Sequence, residues 1–135
     1  MGIGLPDQIV RAVAEGIDMF DTVLPTRLGR HGNALTSKGK ILIKNAAYAK
    51  DFSPLDENCL CKVCQNYSRS YIRHLVTLKE ITGLHLVSYH NVYFYVHLMK
   101  RIREALANDR YEEFMKDFLS NYNSTLDRGD DDVID

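Results

Sequence analysis

All three cysteines of this 135-residue chain lie in one short run, Cys59-Leu60-Cys61-Lys62-Val63-Cys64. Three thiolates at this spacing converge readily on one tetrahedral ion, whereas disulfides need better separated partners and would leave one cysteine over. The chemistry indicated is metal binding, with zinc the expected ion. A fourth ligand must come from a histidine or a carboxylate. His74, His85 and His90 follow the cluster, and spacing alone does not choose among them. The cluster speaks for zinc and, taken alone, says little about function.

A second candidate lies near the N-terminus. Pro6 and Asp7 open a short helix whose apolar residues Ile9, Val10 and Val13 share a face, and Gly16 is placed to end it in the left-handed conformation. The run Ile17-Asp18-Met19-Phe20-Asp21 that follows is expected to be a short strand. A glycine-closed helix running at once into an apolar strand is the connection of a βα repeat. Asp21 would then sit at the strand's C-terminal end, where a carboxylate points into the mouth of a barrel. An aspartate more often caps a helix or joins a salt bridge, but Thr26-Arg27-Leu28-Gly29-Arg30-His31-Gly32 sets two arginines among glycines. Such a segment can wrap phosphate and offer guanidinium forks to oxygen acceptors.

Composition bounds the rest. With 45% hydrophobic and 26% charged residues the chain reads as one globular domain. A net charge of -1 and a pI near 6.5 give no global basic excess, so any RNA contact must be local. Reduced cysteines in a ligand arrangement, without a signal-peptide pattern, lead to the expectation of a cytoplasmic protein. The longest uncharged stretch of the C-terminal half, Ile81 to Met99, holds three histidines and an asparagine and is no membrane span.

The elements that must position these residues are mainly helical. Leu24 to Gly39 reads as an irregular loop and turn, and Asn33–Thr36 can pair with Lys40–Ile43 as a hairpin. Phe52 to Asn58 leads into the cysteines as a loop with little core of its own, which a metal would pin. Tyr67, Tyr71, Leu75 and Leu78 recur at helical intervals, with Gly83 as a stop. A longer helix is expected from about Leu84 to Ala107, with Val92, Val96, Met99, Ile102 and Leu106 on one stripe. A last helix carries Tyr111, Phe114, Met115, Phe118, Leu119 and Tyr122 on its apolar face. The acidic tail is expected to be disordered.

The run Asp18-Met19-Phe20-Asp21-Thr22-Val23-Leu24-Pro25-Thr26-Arg27, the upstream Gly2-Ile3-Gly4-Leu5-Pro6, and the Cys-x-Cys-x2-Cys cluster with His90 resemble the tRNA-guanine transglycosylase family, the queuine tRNA-ribosyltransferases. Phe52-Ser53-Pro54-Leu55-Asp56, and His90-Asn91 leading into an aromatic helix, share the likeness. It runs from Met1 to about Tyr122 and corresponds to about the last third of the family's usual length.

The resemblance implies an α/β fold: the C-terminal portion of a (β/α)8 TIM barrel with a zinc-binding, mainly helical subdomain. Residues 1–32 would be the last barrel βα elements and an active-site loop, 33–107 the hairpin and zinc subdomain with the long helix, 108–123 the C-terminal helix and 124–135 the tail. It implies exchange of guanine at the tRNA wobble position for a 7-deazaguanine base. Asp21 would be the nucleophile, a carboxylate that needs no base to activate it. Gly2, Ile3, Gly4, Leu5, Pro6, Asp7 and Gln8 correspond to an RNA-contacting loop. Thr26, Arg27, Leu28, Gly29 and Arg30 correspond to the segment that helps recognise the wobble nucleotide in the anticodon loop.

The resemblance also assigns His90 as fourth ligand with Cys59, Cys61 and Cys64, giving one structural Zn2+ per chain. His74, His85 and His97 are left to helix surface or packing, and Tyr89, Tyr93 and Tyr95 to packing. A homodimer is expected for the full-length enzyme. The family's second carboxylate and most of its base-recognition residues would lie upstream, so Met1 is expected to be internal to a longer protein and the chain alone inactive. The competing reading is a non-catalytic, zinc-stapled module for RNA binding or subunit docking.

Overall fold

A computed structural model describes residues 2–122; the acidic tail at 124–135 lies outside the described residues. The chain runs α1 (Pro6–Ala14), α2 (Leu24–Arg30), β1 (Asn33–Thr36), β2 (Gly39–Leu42), a 3-10 turn at Ala46–Tyr48, α3 (Lys62–Asn66), α4 (Arg69–Thr77), α5 (Ile81–Ala107) and α6 (Tyr111–Asn121). The described residues form a mainly helical fold with one two-stranded antiparallel sheet. No described helix is long and apolar enough to cross a membrane.

The organising element is α5, whose 27 residues extend about 40 Å at the helical rise. It lies along two apolar cores. The first gathers Ala34, Ile41, Ile43, Leu55, Cys61, Val63, Ile72, Val76 and Val87 around the cysteine loop. The second gathers Ile9, Val10, Leu35, Tyr95, Leu98, Ile102, Phe118 and Tyr122 between α1, α5 and α6. Strand β1 passes between them: successive strand side chains point to opposite faces, so Ala34 enters the first core and Leu35 the second. All four residues of β1 are buried. Two tyrosine hydroxyls tie the N-terminal elements down, Tyr95 donating to the Gly4 carbonyl at 2.5 Å and Tyr111 to the Val10 carbonyl at 2.6 Å.

Several expectations need correction. Ile17 to Asp21 is not a strand; it is an irregular, unpaired segment, because no neighbouring strand among the described residues offers it a ladder. Part of the expected loop from Leu24 is helix α2, started by proline in its first turn and stabilised by packing on α5. The hairpin forms, with β2 one residue earlier than expected, Thr36 pairing with Gly39.

Gly83 does not stop a helix. The chain turns instead at Lys79, with φ of 59°, and Gly83 lies inside α5 where it crosses α4. The faces also differ. In α4 the buried residues are Ile72 and Val76, while Tyr71 and Leu78 are exposed; in α5 they include Val87, Tyr95, Leu98 and Ile102, while Val92, Val96 and Leu106 are exposed. Of the stripe expected on α5, Ile102 and Met99 do pack inward, but apolar residues occur on more than one face and periodicity alone did not separate the buried ones from the exposed. Tyr95 is buried as expected and Tyr93 packs against the first core, but Tyr89 is exposed. The apolar face of α6 and the stop at Gly16, with φ of +93°, agree with expectation.

A Cβ placed on Gly83 would stand 2.8 Å from Leu75 Cβ and 2.9 Å from the Val76 amide nitrogen. Gly83→Ala should therefore lower the thermal midpoint, costing about 1–3 kcal/mol through overpacking, even though alanine gains about 1 kcal/mol of helix propensity over glycine. A raised midpoint would refute this close crossing.

Candidate metal centre and nucleophile

The Cys59–Cys64 loop is held from both sides before any ion is considered. Upstream, the Asp56 carboxylate is buried and accepts from the Ser37 amide (2.8 Å), the Ser37 hydroxyl (2.9 Å) and the Asn58 amide (3.1 Å), which ties the loop to the hairpin turn. Arg69, at the start of α4, donates to the Pro54 and Leu55 carbonyls at 2.9 and 3.0 Å and pairs with Asp51 at 3.3 Å. The Ser53 hydroxyl and amide, helped by Arg69, keep the Asp51 carboxyl below its ordinary range. Leu55 is fully buried, so this loop has more core than its proline and acidic residues suggested. Downstream, Cys61 caps α3, its sulfur accepting from the Cys64 amide.

Into this loop α5 inserts His90. Its Nδ1 stands 3.7 Å from Cys59 Sγ, 3.5 Å from Cys61 Sγ and 3.3 Å from Cys64 Sγ, and all four donor atoms lie within 4.8 Å of one another. Zn–S and Zn–N bonds of about 2.3 and 2.0 Å at tetrahedral angles give an S···N edge of roughly 3.5 Å, so the set fits zinc. The other ring nitrogen, Nε2, lies 2.6 Å from the Leu35 carbonyl. A carbonyl accepts only, so Nε2 carries a hydrogen, which leaves Nδ1, facing the sulfurs, as the nitrogen a metal would take.

The donors conflict without a cation. Hydrogen bonds from Cys59 and Cys64 hold the Cys61 thiol far below its ordinary range, while closeness to Cys59 and Cys61 pushes Cys64 far above its own. Burial disfavours a charged His90, yet Cys59, Cys61 and the Leu35 carbonyl outweigh it and raise the imidazole to about 10. A divalent cation would stabilise all the deprotonated donors at once. His74, His85 and His97 are exposed and stand outside the cluster.

Asp21 sits on the unpaired segment that enters α2, exposed, and among the described residues no hydrogen bond or ion pair engages its side chain. The Leu24 amide at the start of α2 is bonded by Thr22 Oγ1 at 3.2 Å. Gly4 packs against this point so tightly that a Cβ there would stand 2.9 Å from Thr22 Cβ. The structure thus brings the loop from Gly2 to Leu5 alongside Thr22 and the start of α2. Gln8 Oε1 accepts from the Leu5 amide, and Pro6 and Asp7 open α1. Arg27 is half-buried, Arg30 and Thr26 are exposed, and neither arginine makes an ion pair among the described residues. Leu28 packs against the second core, and Gly29 is buried against α5.

One residue that sequence reasoning left without a role is Asn91. Fully buried, it accepts from the Leu35 amide (2.9 Å) and donates to the Pro25 (3.0 Å) and Asn33 (2.8 Å) carbonyls. Its only sequence signal was adjacency to His90.

Because a structural zinc site of this kind contributes on the order of 10 kcal/mol to folding, Cys61→Ser, or zinc removal by a chelator, should release the loop around residues 56–66. Faster proteolysis or amide exchange in that loop is the readout, with one zinc lost per chain by elemental analysis. Unchanged protection after full metal loss would show that the hydrogen bonds of Asp56 and Arg69 suffice.

Known proteins share this arrangement's sequence. A family model described as Queuine tRNA-ribosyltransferase matches residues 1–124. Proteins named Queuine tRNA-ribosyltransferase from Streptococcus pyogenes serotype M5 (strain Manfredo) and serotype M18 (strain MGAS8232) are each 54% identical over 122 residues, covering 90% of this chain and 32% of their own length. The chain thus spans about a third of these relatives. With the family model matching nearly the whole sequence, the chain belongs to the queuine tRNA-ribosyltransferase family.

Proposed function

We propose that this chain is the zinc-stapled C-terminal part of a tRNA-guanine transglycosylase, acting in the cytoplasm on the anticodon loop of tRNA. In this reading Asp21 attacks the ribose C1′ of the wobble nucleotide. The glycosidic bond breaks through an oxocarbenium-like state, guanine leaves with the bonding pair and takes up a proton, and an aspartyl-ribose ester forms. The incoming 7-deazaguanine loses its own proton and displaces Asp21 at the same carbon, so two inversions keep the β configuration. The observation that carries the reading is the exposed Asp21, its side chain unengaged among the described residues, beside the Gly2–Leu5 loop and the start of α2 in a chain of this family.

The other residues have roles consistent with it. The glycines at 2 and 4 let backbone amides approach phosphate, and Arg27 and Arg30, without an ion pair among the described residues, are available to RNA. The wobble base must leave its stack before C1′ is reachable. Zinc, when bound, supplies structure: four protein ligands leave no open position for water or substrate. The remaining two thirds of the family's length would complete the (β/α)8 barrel and provide the acid–base carboxylate and base pocket.

A second copy is the partner the surface supports. Tyr67 and Tyr71 stack with centroids 5.6 Å apart, and Phe52, 80% exposed, lines the same shallow cleft with Pro54 and Gln65. An exposed aromatic patch of this kind supports that reading, since such patches are characteristic of interfaces.

In the complete enzyme, denaturing gels should show a tRNA adduct that Asp21→Asn abolishes, with exchange falling by at least ~10³-fold as expected for loss of a nucleophile; the chain alone should be silent in the same assay. An adduct that survives Asp21→Asn would sink the assignment. Tyr71→Asp should convert the dimer to monomer in analytical ultracentrifugation while leaving zinc content unchanged. A dimer of undiminished affinity would move the interface elsewhere.

A further inference from the structure

We propose that Asn91 is a positioning residue that couples occupancy of the metal site to the placement of α2. The path is a single run of hydrogen bonds. His90 turns Nδ1 to the sulfurs and Nε2 to the Leu35 carbonyl at 2.6 Å; the Leu35 amide donates to Asn91 Oδ1 at 2.9 Å; Asn91 Nδ2 donates to the Pro25 carbonyl at 3.0 Å and to Asn33 at 2.8 Å. Adjacent residues of α5 therefore grip both polar groups of one β1 residue, and the second of them reaches across to α2.

The geometry leaves this amide no alternative partners. Leu35 pairs with Lys40 at a position of the antiparallel ladder whose polar groups point away from β2, so its free edge must be satisfied by α5. The Leu35 amide requires an acceptor and the two carbonyls require donors, which fixes the orientation of the side chain. With zinc on Nδ1, the His90 ring is anchored and its Nε2–H is polarised toward Leu35. Without it the ring has no fixed centre to hold, Leu35 loses its anchor, and the strain passes to the bond that reaches Pro25.

A competing anchor exists. Gly29 of α2 lies so close to α5 that a Cβ there would stand 2.6 Å from Ser88 Cα. If that packing alone placed α2, Asn91 would be only a satisfied core amide. The two accounts separate in what metal does to α2. The consequence for RNA, through Thr26, Arg27 and Arg30, rests on the transglycosylase reading, whereas the coupling itself does not.

The test is site-resolved amide exchange on the zinc-loaded chain and after chelation. In wild type, stripping should speed exchange at Arg27 and His31, whose amides bond within α2, by roughly tenfold, the loss of about one hydrogen bond; α1 and α6, in the other core, should change less. Asn91→Asp keeps the acceptor for Leu35 and removes both N–H donors, leaving at most one O–H for the two carbonyls. It should still bind one zinc, with fast exchange in α2 that no longer responds to the metal. A wild-type α2 indifferent to stripping overturns the proposal, as does equal loss in α1 and α6, or a zinc response retained in Asn91→Asp. Should that variant not fold, the wild-type comparison decides alone. A complete enzyme whose affinity for anticodon-loop RNA ignores stripping, while α2 responds, would sink the RNA reading and leave the coupling intact.

Discussion

Strand β1 is buried on both faces and on its free edge, and a buried peptide group without a hydrogen-bond partner costs about 1–3 kcal/mol. That constraint determines what α5 must carry at its middle. One turn of helix supplies an imidazole and a carboxamide to the Leu35 and Asn33 peptide groups. The contact reaches in two directions. The imidazole reaches the sulfurs with its other nitrogen, and the carboxamide reaches α2 with its second hydrogen.

The molecule is thus arranged as two cores joined by one strand and one helix. The core around the cysteine loop leans on buried polar bonds from Asp56 and Arg69 as well as on the metal donors. The other core is conventional apolar packing of α1, α5 and α6, in which burial raises the Tyr95 and Tyr122 hydroxyls well above their ordinary values. Asp21 and the arginines of α2 stand at the boundary, on a segment whose own apolar side chains, Met19 and Val23, remain exposed.

What was misread has physical causes. The segment 17–21 has the composition of a strand, yet strands exist only in pairs, and composition cannot report a missing neighbour. Helix α2 contains proline and glycine, which argue for a loop; proline is harmless in a first turn, and Gly29 is there because α5 passes too close for a side chain. Gly83 has the same explanation at the crossing with α4. In each case a local rule about glycine yielded to packing between helices.

The sequence alone determined the three sulfur donors for a metal, since three cysteines at that spacing admit little else, together with the apolar face of α6 and the hairpin. Family likeness, also a property of sequence, pointed to Asp21 and to His90. Only the tertiary structure decided which histidine joins the sulfurs, because convergence of Nδ1 on three Sγ atoms is a distance and not a spacing. It alone revealed Asn91, whose partners Pro25 and Asn33 are more than fifty residues away in the chain. A hydrogen bond depends on where two groups meet, and for groups so far apart that is decided only when the cores close around β1.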